Sequence, residues 1–440
     1  MWWTPGDVDT LSPVDAATLT LVLVIVTALA FDFTNGFHDT ANAMAASIST
    51  GALTPKIAVA LSAILNLVGA FLSVEVALTV SNAVVKIQNK DGSPIEALAA
   101  NGGQQLLFIV LGGLVGGIIW NLFTWLLGLP SSSSHALLGG LTGAAVGALG
   151  WAGAKWNGDG TKLDGIIGKI LLPSFLSPMI ALSVAFLGSW LVHKITNGIA
   201  HKLNDRHFRW GQIGSASLVS LAHGTNDAQK TMGVMTLALL ASGHWTDTHS
   251  VPIWVKFSAA IAIALGTYLG GWRIIRTLGK GLVDITPRQG MASDGSTAAV
   301  LMAASYLGFA LSTTHVATGS VLGGGLGRGT HVRWNTAGRM VVAWATTFPL
   351  AGIIGAIMYW IGHGIGGAVG AIVVFAILCG ASGYMFWRSQ QNKVDHSNVT
   401  DEWDRPQDIL DQHEPDHVGS HEVPTGDHED LAAPTSTPTH

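Results

Sequence analysis

Charged residues are scarce in this sequence. Lys, Arg, Asp and Glu make up 11% of its 440 residues, whereas an ordinary soluble protein has roughly 25%. Because 49% of the residues are hydrophobic, the shortage of charge excludes a well-solvated globular domain. Glycine is abundant, at 55 residues, and glycine without a collagen repeat suits the close packing of helices in lipid. The composition therefore predicts an all-α integral membrane protein with many spans.

Cysteine and N-terminal basic residues are also nearly absent. The single cysteine, Cys379, excludes an internal disulfide. Residues 1–15 contain no Lys or Arg, and a secretory signal needs a basic first region. We therefore expect the first apolar run to be a retained span with its N-terminus outside. Basic residues cluster instead in 194–209 and 273–288, which the positive-inside tendency places in the cytoplasm.

Apolar stretches of about 20 residues, enough to cross a bilayer, recur along the chain. The clearest candidates are 16–33, 56–80, 104–127, 171–193, 252–271, 336–361 and 366–387. Four further apolar segments are interrupted by Gly or by clusters of Ser, Thr, Asn and His, at 38–50, 131–150, 211–241 and 295–325. Together these segments predict about ten to twelve helical transmembrane elements.

A polar motif centred on an aspartate occurs twice within apolar sequence, and 188 residues separate Asp39 from Asp227. On a helix each motif forms one stripe, and the stripes are Asn35–His38–Asp39–Asn42 and His223–Asn226–Asp227–Lys230. A carboxylate in a membrane helix costs about 2.5–3.5 kcal/mol on insertion scales. We therefore interpret both aspartates as functional, while a structural hydrogen-bond network is an equal alternative for Asn35 and His223.

The chemistry of these stripes favours cation binding. Carboxylate and amide oxygens suit hard cations such as Na⁺ or Mg²⁺, and an aspartate can instead carry a proton. We expect Gly36 and Gly224 to open their helices and free carbonyls as further ligands. Lys230 replaces Asn42 in the second motif, where it either neutralises Asp227 or, the role we favour, serves as a point charge for a bound phosphate.

A second motif, rich in hydroxyl groups, also recurs. It reads Ser131-Ser132-Ser133-Ser134-His135 in the first half and Ser312-Thr313-Thr314-His315 in the second. Each copy precedes an apolar run with small residues at Gly139 and Gly143, or Gly319 and Gly323, which allow close helix packing. The pattern is typical of the N-terminus of a half-helix, whose free N–H groups and positive dipole end attract anions.

Two motifs that recur in the same order indicate gene duplication. Duplicated halves with interrupted spans are typical of secondary transporters, because irregular backbone at membrane depth is tolerated only where it is buried in protein or lines a cavity. The predicted organisation is a first repeat over 1–193, a basic cytoplasmic connection over 194–210, a second repeat over 211–391 and a disordered, acidic, histidine-containing tail over 392–440.

The segments Gly36-Phe-His-Asp39-Thr-Ala-Asn42-Ala and Gly224-Thr-Asn-Asp227-Ala-Gln-Lys230-Thr-Met-Gly resemble the paired signatures of the inorganic phosphate transporter (PiT) family, the first in its bacterial, low-affinity form. The resemblance covers roughly residues 16–390. It implies two inverted-topology repeats, each with a re-entrant helical hairpin, and symport of phosphate with a cation. It assigns phosphate to Ser132, Ser133, Ser134, Ser312, Thr313 and Thr314 with Asn42 and Lys230 adjacent, and the cation to Asp39, Asp227 and Asn226.

The expected protein is thus a multi-pass carrier of the cell (inner) membrane that imports phosphate, not an enzyme, with no catalytic residue, no cofactor and no certain metal ligand. Its expected partners are phosphate, a coupling cation and membrane lipid, and not nucleic acid. The coupling cation is left open between H⁺ and Na⁺, with Mg²⁺ as a companion of phosphate, and homo-oligomerisation is also left open.

Two rival interpretations remain at this stage. A divalent-metal transporter would use Asp39, Asp227 and the histidines, although hydroxyl groups are poor primary ligands for transition metals. A more remote alternative is an intramembrane hydrolase built from Ser134, His135 and Asp39. Adjacent serine and histidine side chains do not face each other on a helix, which argues against that triad.

Overall fold

The computed structural model describes residues 13–73, 77, 96–157, 165–197, 205–306 and 311–401. Within these ranges extended pairing is limited to one bridge between Val283 and Val332. The α-helices, numbered in chain order, are α1 Pro13–Ser49, α2 Pro55–Gly69, α3 Glu96–Leu126, α4 Ser133–Leu149, α5 Leu172–Asn197, α6 Asp205–Ala241, α7 Ile253–Leu269, α8 Trp272–Arg276, α9 Pro287–Tyr306, α10 Thr313–Leu326, α11 Trp334–Ile365 and α12 Gly367–Gln391. Short π-helical segments, Ile167–Leu171 and Thr277–Gly281, precede α5 and follow α8.

The helices confirm an all-α integral membrane protein with several spans. Five stretches of the described chain are long and apolar enough to cross a bilayer: Ala16–Ser49, Gly102–Leu126, Ile167–Thr196, Trp334–Ile365 and Gly367–Gln391. A sixth arises if Ile253–Leu269 and Trp272–Gly281, which are bent by 58° at their junction, form one span. The remaining helices are shorter or more polar. The ten to twelve predicted elements therefore correspond to helices, several of which are not complete apolar spans.

Helices of the two halves pack in a reciprocal pattern. In chain order α1, α2, α4 and α5 of the first repeat correspond to α6, α7, α10 and α11 of the second. Helix α1 packs against α7 while α6 packs against α2, and α4 packs against α11 while α10 packs against α5. Whenever two of these helices pack together, their equivalents in the other repeat also pack together. This is the packing expected of two repeats related by a pseudo-twofold axis.

The direction of that axis follows from the contacts between α1 and α6. Thr50 donates a hydrogen bond to Gln212 (2.7 Å), and Asp32 accepts one from Thr231 (2.8 Å). Residue numbers increase along α1 while the numbers of their hydrogen-bond partners decrease along α6. The two equivalent helices are therefore antiparallel. A twofold axis that relates antiparallel membrane helices lies in the membrane plane, which is the inverted topology that the family resemblance implies.

Gly36 and Gly224 do not open their helices. Both α1 and α6 are continuous through these positions, so segments 16–33 and 38–50 form one helix of 37 residues. A methyl group on Gly36 would overlap the carbonyl of Ile263, and one on Gly224 would overlap the carbonyl of Asn66. The expectation that these glycines free carbonyl ligands is therefore wrong, because their missing side chains serve the close crossing of helices.

The two hydroxyl-rich motifs each begin a short helix. Helices α4 and α10 contain 17 and 14 residues, fewer than the roughly 20 needed for a full span. Helix α3 packs against α4, and α9 packs against α10, so each pair forms a helical hairpin. A methyl group on Gly143 or Gly323 would overlap the backbone of α11 or α5, which explains the small residues in both short helices.

The beginning of the predicted tail packs against the helical body. Residues 392–401 lie in turns, and Val399 is buried. Arg273 donates hydrogen bonds to the carbonyls of Ser389 (2.9 Å) and Asn392. Residues 402–440, and 198–204 of the basic connection, lie outside the described residues, so the proposed division of the chain stays a prediction.

Candidate functional site

The N-termini of α4 and α10 meet inside the protein. The Thr314 hydroxyl donates a hydrogen bond to the carbonyl oxygen of Ser131 (3.0 Å). The rings of His135 and His315 lie 4.9 Å apart, centroid to centroid, in an edge-to-face arrangement. Both hydroxyl-rich breaks are thus neighbours, and all four residues are buried. Two helix N-termini, with their positive dipole ends, therefore lie together, which favours an anion there.

Two of the predicted phosphate ligands are helix caps. Ser132 accepts a hydrogen bond from the backbone N–H of His135 (3.2 Å), and Ser312 accepts one from His315 (3.3 Å). Serine is favoured at this position because its side chain satisfies a backbone donor that the helix leaves free. The hydroxyls of Ser132 and Ser312 therefore stabilise the helix ends in this structure, while the residues that follow them reach the acidic motifs.

Asp39 lies at the meeting point of both hydroxyl motifs. Its Oδ1 accepts a hydrogen bond from Ser133 (3.1 Å) and lies 3.5 Å from the Thr314 hydroxyl, and its Oδ2 accepts a hydrogen bond from Thr313 (3.3 Å). His38 Nδ1 lies 2.9 Å from Oδ1. The carboxylate of the first repeat is thus bound by hydroxyl groups from α4 and α10 together, as a site shared between the repeats requires.

Asn42 and Lys230 connect the acidic helices to the hydroxyl motifs. The Asn42 side-chain amide donates to Thr314 Oγ1 (3.0 Å) and Thr313 Oγ1 (3.4 Å). The Lys230 ammonium donates to Ser134 Oγ and to Asp227 Oδ1. All of these groups are buried, and a lysine is almost never fully buried unless it is paired. Predicted cation-site and phosphate-site residues therefore form one contiguous polar cluster.

Asp39, His223 and Asp227 converge on a small volume. One potential ligand atom from each lies within 4.8 Å of the others. His223 Nε2 is 3.2 Å from Asp227 Oδ2 and 3.8 Å from Asp39 Oδ2, and its Nδ1 is bonded to Asn66 Oδ1 (3.1 Å), which orients the ring. Two carboxylates and an imidazole form a donor set that suits a cation.

Buried polar atoms with spare hydrogen-bonding capacity lie in the same region. Asn42 Oδ1 has no hydrogen-bond partner, and Asp227 Oδ2 and His223 Nε2, 3.2 Å apart, have none beyond each other. Buried polar atoms are normally fully bonded, so these atoms have capacity for a ligand. Asn226, the third predicted cation ligand, donates its amide to the carbonyl of Ala222 (3.0 Å). His223, one turn before Asp227, is the residue that lies beside both carboxylates.

Two buried aspartates were not found by sequence reasoning. Asp32 accepts a hydrogen bond from Thr231 between α1 and α6. Asp294, on α9, accepts one from the side-chain amide of Gln212 (3.4 Å). Neither belongs to a repeated motif, so the repeats give no signal for them. The signal that was available is a solitary acidic residue within apolar sequence, which is costly in a membrane.

The hydrolase triad is not assembled. Ser134 Oγ accepts the hydrogen bond of Lys230, and His135 Nε2 lies 3.3 Å from Ser174 Oγ. Asp39 is paired with His38 instead of His135. The serine, histidine and aspartate that the hydrolase would need are therefore engaged with other residues.

Residues 35–355 match the model of the phosphate transporter family. The chain belongs to this family. A probable low-affinity inorganic phosphate transporter of Mycobacterium bovis is 55% identical over 386 residues, which cover 87% of each chain. A probable low-affinity inorganic phosphate transporter of Bacillus subtilis is 40% identical over 348 residues, covering 79% of this chain and 98% of its own length.

A solved structure shares the fold. It is described as a sodium-dependent phosphate transporter and matches with a TM-score of 0.63 at 21% identity, covering 78% of this chain and 98% of that structure. This likeness confirms the helical architecture. The resemblance seen in the two acidic motifs is confirmed by the family match, and membership of a transporter family also confirms that the chain is not an enzyme.

Proposed function

We propose that this family member imports inorganic phosphate across the cell (inner) membrane by symport with a cation and alternating access. The observation that carries the proposal is the meeting of two helix N-termini and their hydroxyl groups beside Asp39 and the Asp227–Lys230 pair. Phosphate loses its hydration on entering such a site, which is costly unless the protein replaces the lost hydrogen bonds. Hydroxyls, backbone N–H groups and an ammonium group can replace them together.

The phosphate-binding set consists of hydroxyls that reach the centre from both hairpins. Contacts to Asp39 or Lys230 are made in the structure by the hydroxyls of Ser133, Ser134, Thr313 and Thr314. Their hydroxyls rotate freely, so they can donate to phosphate oxygens in place of these partners. Ser132 and Ser312 hold the helix ends in place. Asn42 and Lys230 add an amide donor and a positive charge from the acidic helices.

The cation-binding set consists of Asp39 and Asp227, with Asn226 on the same face of α6. His223, which the motif alone does not single out, lies beside both carboxylates. A phosphate anion beside two buried carboxylates is repelled unless positive charge accompanies it. Binding of the cation therefore strengthens binding of phosphate, and the effect is reciprocal. Uptake against a negative interior also needs this charge, since each positive charge contributes about 2.3 kcal/mol per 100 mV. H⁺, Na⁺ and a metal–phosphate complex with Mg²⁺ all satisfy this requirement.

The inverted repeats supply a means of alternating access. The site lies where antiparallel α1 and α6 cross and where α4 and α10 begin, so helices of both repeats line it. Rocking of one repeat against the other can open the site first to one side and then to the other. Thr50 and Gly51 at the C-terminal end of α1 lie beside Gln212 and Arg209 of α6, which agrees with a cytoplasmic location for this end.

Radiolabelled phosphate uptake into proteoliposomes tests the proposal, with pH, Na⁺ and Mg²⁺ gradients imposed one at a time. We expect accumulation that depends on at least one cation gradient, and loss of uptake in Asp39→Asn and Asp227→Asn with normal membrane insertion. Normal uptake by both variants would contradict the assigned roles. The divalent-metal alternative predicts metal uptake that is unchanged when phosphate is omitted, so the same vesicles separate the two functions.

A further inference from the structure

Asp32 is a buried carboxyl group that neither repeated motif contains. Its side chain is 0% exposed. One oxygen, Oδ1, accepts the hydrogen bond of the Thr231 hydroxyl (2.8 Å), and the other, Oδ2, has no hydrogen-bond partner. If this residue only formed a hydrogen bond between two helices, a neutral hydroxyl or amide side chain would be sufficient. A carboxyl group is expensive at membrane depth and usually marks an ion or proton pathway.

The position of Asp32 connects it to the cation site. Asp32, Asn35 and Asp39 follow one face of α1 by helical spacing, and Thr231 and Asp227 lie one turn apart on the antiparallel α6. Seven residues of helix rise about 10 Å, so two turns separate Asp32 from Asp39. Between them, Asn35 Oδ1 is also buried without a partner. A polar stripe therefore runs along the interface of the repeats to the centre of the molecule.

A proton is the ligand that fits the surroundings of Asp32. Metal cations such as Na⁺ or Mg²⁺ are bound by several oxygen atoms at once, whereas the hydrogen bonds described for Asp32 supply a single hydroxyl group. A carboxyl group needs no further ligand to bind a proton. When protonated, Asp32 is neutral and can remain in the closed interface. When ionised, it needs water or a cation, which an opened interface supplies.

Among the described residues, the charged groups around Asp32 come from α6. Asp227, His223 and Lys230 are the titratable groups that act on it electrostatically. Helices α3, α7 and α12 also pack against α1, and residues of all three line one cavity with Val26, Ala30 and Phe33 of α1. Each has a single Asp, Glu, Lys or Arg, placed near a helix end: Glu96, Lys256 and Arg388. Protonation of Asp32 is therefore linked most directly to the charge state of the central site, through α6.

We infer that Asp32 is a proton-binding site outside the phosphate site, and that its proton is a coupling ion of the carrier. The inference rests on the proposed cation-coupled transport and specifies one of the coupling ions. Ser220 occupies the equivalent place in the second repeat, 188 residues later, and its hydroxyl bonds Ser62 (3.0 Å). The second repeat, which has no carboxyl group at this place, thus keeps an ordinary hydrogen bond between helices.

The test compares two measurements on the full-length protein in sodium-free proteoliposomes. The first is exchange of labelled for unlabelled phosphate without a gradient, which reports folded carriers with an intact phosphate site. The second is phosphate accumulation driven by an imposed pH gradient. We expect Asp32→Asn to retain exchange and to lose pH-driven accumulation, with Asp32→Glu retaining both. Ser220→Ala is the matched control in the other repeat and should respond to the pH gradient as the wild type does.

Three outcomes would overturn the inference. The first is pH-driven accumulation by Asp32→Asn at the wild-type rate. The second is a combination of two results: Asp32→Asn loses exchange and accumulation equally, and Thr231→Val leaves the pH profile of uptake unchanged. Together these results would show that Asp32 only joins two helices. The inference instead predicts that Thr231→Val displaces the pH midpoint of uptake by about half a unit. The third is a wild type that exchanges phosphate but does not accumulate it under the pH gradient. If the same protein accumulates phosphate in separate vesicles with an imposed Na⁺ gradient, the proposed function remains intact.

Discussion

Lys230 and Asn42 occupy equivalent positions in the two repeats and reach equivalent partners on opposite hairpins. Lys230 of α6 donates to Ser134 of α4, and Asn42 of α1 donates to Thr314 of α10. Ser134 and Thr314 are themselves equivalent, 180 residues apart. The pseudo-twofold relationship therefore extends to the bonds of the site, while the charge does not, because only the second repeat contributes an ammonium group.

Replacement of Lys230 tests this asymmetry. Lys230→Met leaves the Asp227 carboxylate buried beside His223 without its ammonium partner, and removal of one member of a buried ion pair costs about 3–5 kcal/mol. We expect a large loss of thermal stability in detergent and no phosphate uptake. The double variant Lys230→Met/Asp227→Asn should regain most of the stability without regaining uptake. Equal instability of the single and double variants would show that the pair contributes no mutual stabilisation.

The hydroxyl group of Thr314 should matter to uptake more than a hydroxyl one turn further along α10. Thr314→Val removes the bonds to the Ser131 carbonyl and from Asn42, so we expect at least a tenfold loss in kcat/KM for phosphate, equivalent to about 1.4 kcal/mol. Thr318 is the matched control, since it is equally buried and its hydroxyl has no partner. Thr318→Val should take up phosphate normally. Similar losses in both variants would point to helix packing instead of ligand contact.

The crossing glycines can be tested against a glycine of the same helix. Gly224→Ala places a methyl group against the carbonyl of Asn66, and overpacking of this kind typically costs about 1–3 kcal/mol. Gly214, also in α6, has nothing within 4 Å of an added methyl group. Gly214→Ala should therefore be neutral or raise stability by up to about 1 kcal/mol. The comparison is read from thermal unfolding in detergent, and equal effects of the two changes would refute a close crossing at Gly224.

The sequence was most informative where a feature occurred twice. The duplicated aspartate and hydroxyl motifs correctly predicted two repeats with short half-helices, because a duplicated polar break in apolar sequence has few uses other than a shared site. The inverted topology of the repeats came from the family resemblance. The local sequence gave a wrong prediction at Gly36 and Gly224, because a glycine close to a functional aspartate suggests a break in the helix. The neighbouring helix that requires each glycine, α7 or α2, is remote in sequence.

Side-chain direction was also beyond the sequence. The stripe that contains His223 and Asn226 does not reveal which of them faces both carboxylates, since that depends on how α6 is rotated against α1. Asp32 and Asp294 carry no repeat signal, as Ser220 shows for the first of them. Only the packed helices reveal that each is buried with a polar partner.

Phosphate protection of introduced cysteines tests most directly whether the two hairpins enclose one anion. The only native cysteine is Cys379, so a Cys379→Ser background provides a cysteine-free chain in which Ser134→Cys, Thr313→Cys and the control Thr318→Cys are made singly. The rate of modification by a small thiol reagent is then measured in membranes against phosphate concentration. The account predicts that phosphate slows modification at positions 134 and 313 with the same concentration dependence and leaves position 318 unaffected. Protection at only one hairpin, or at neither, would contradict it.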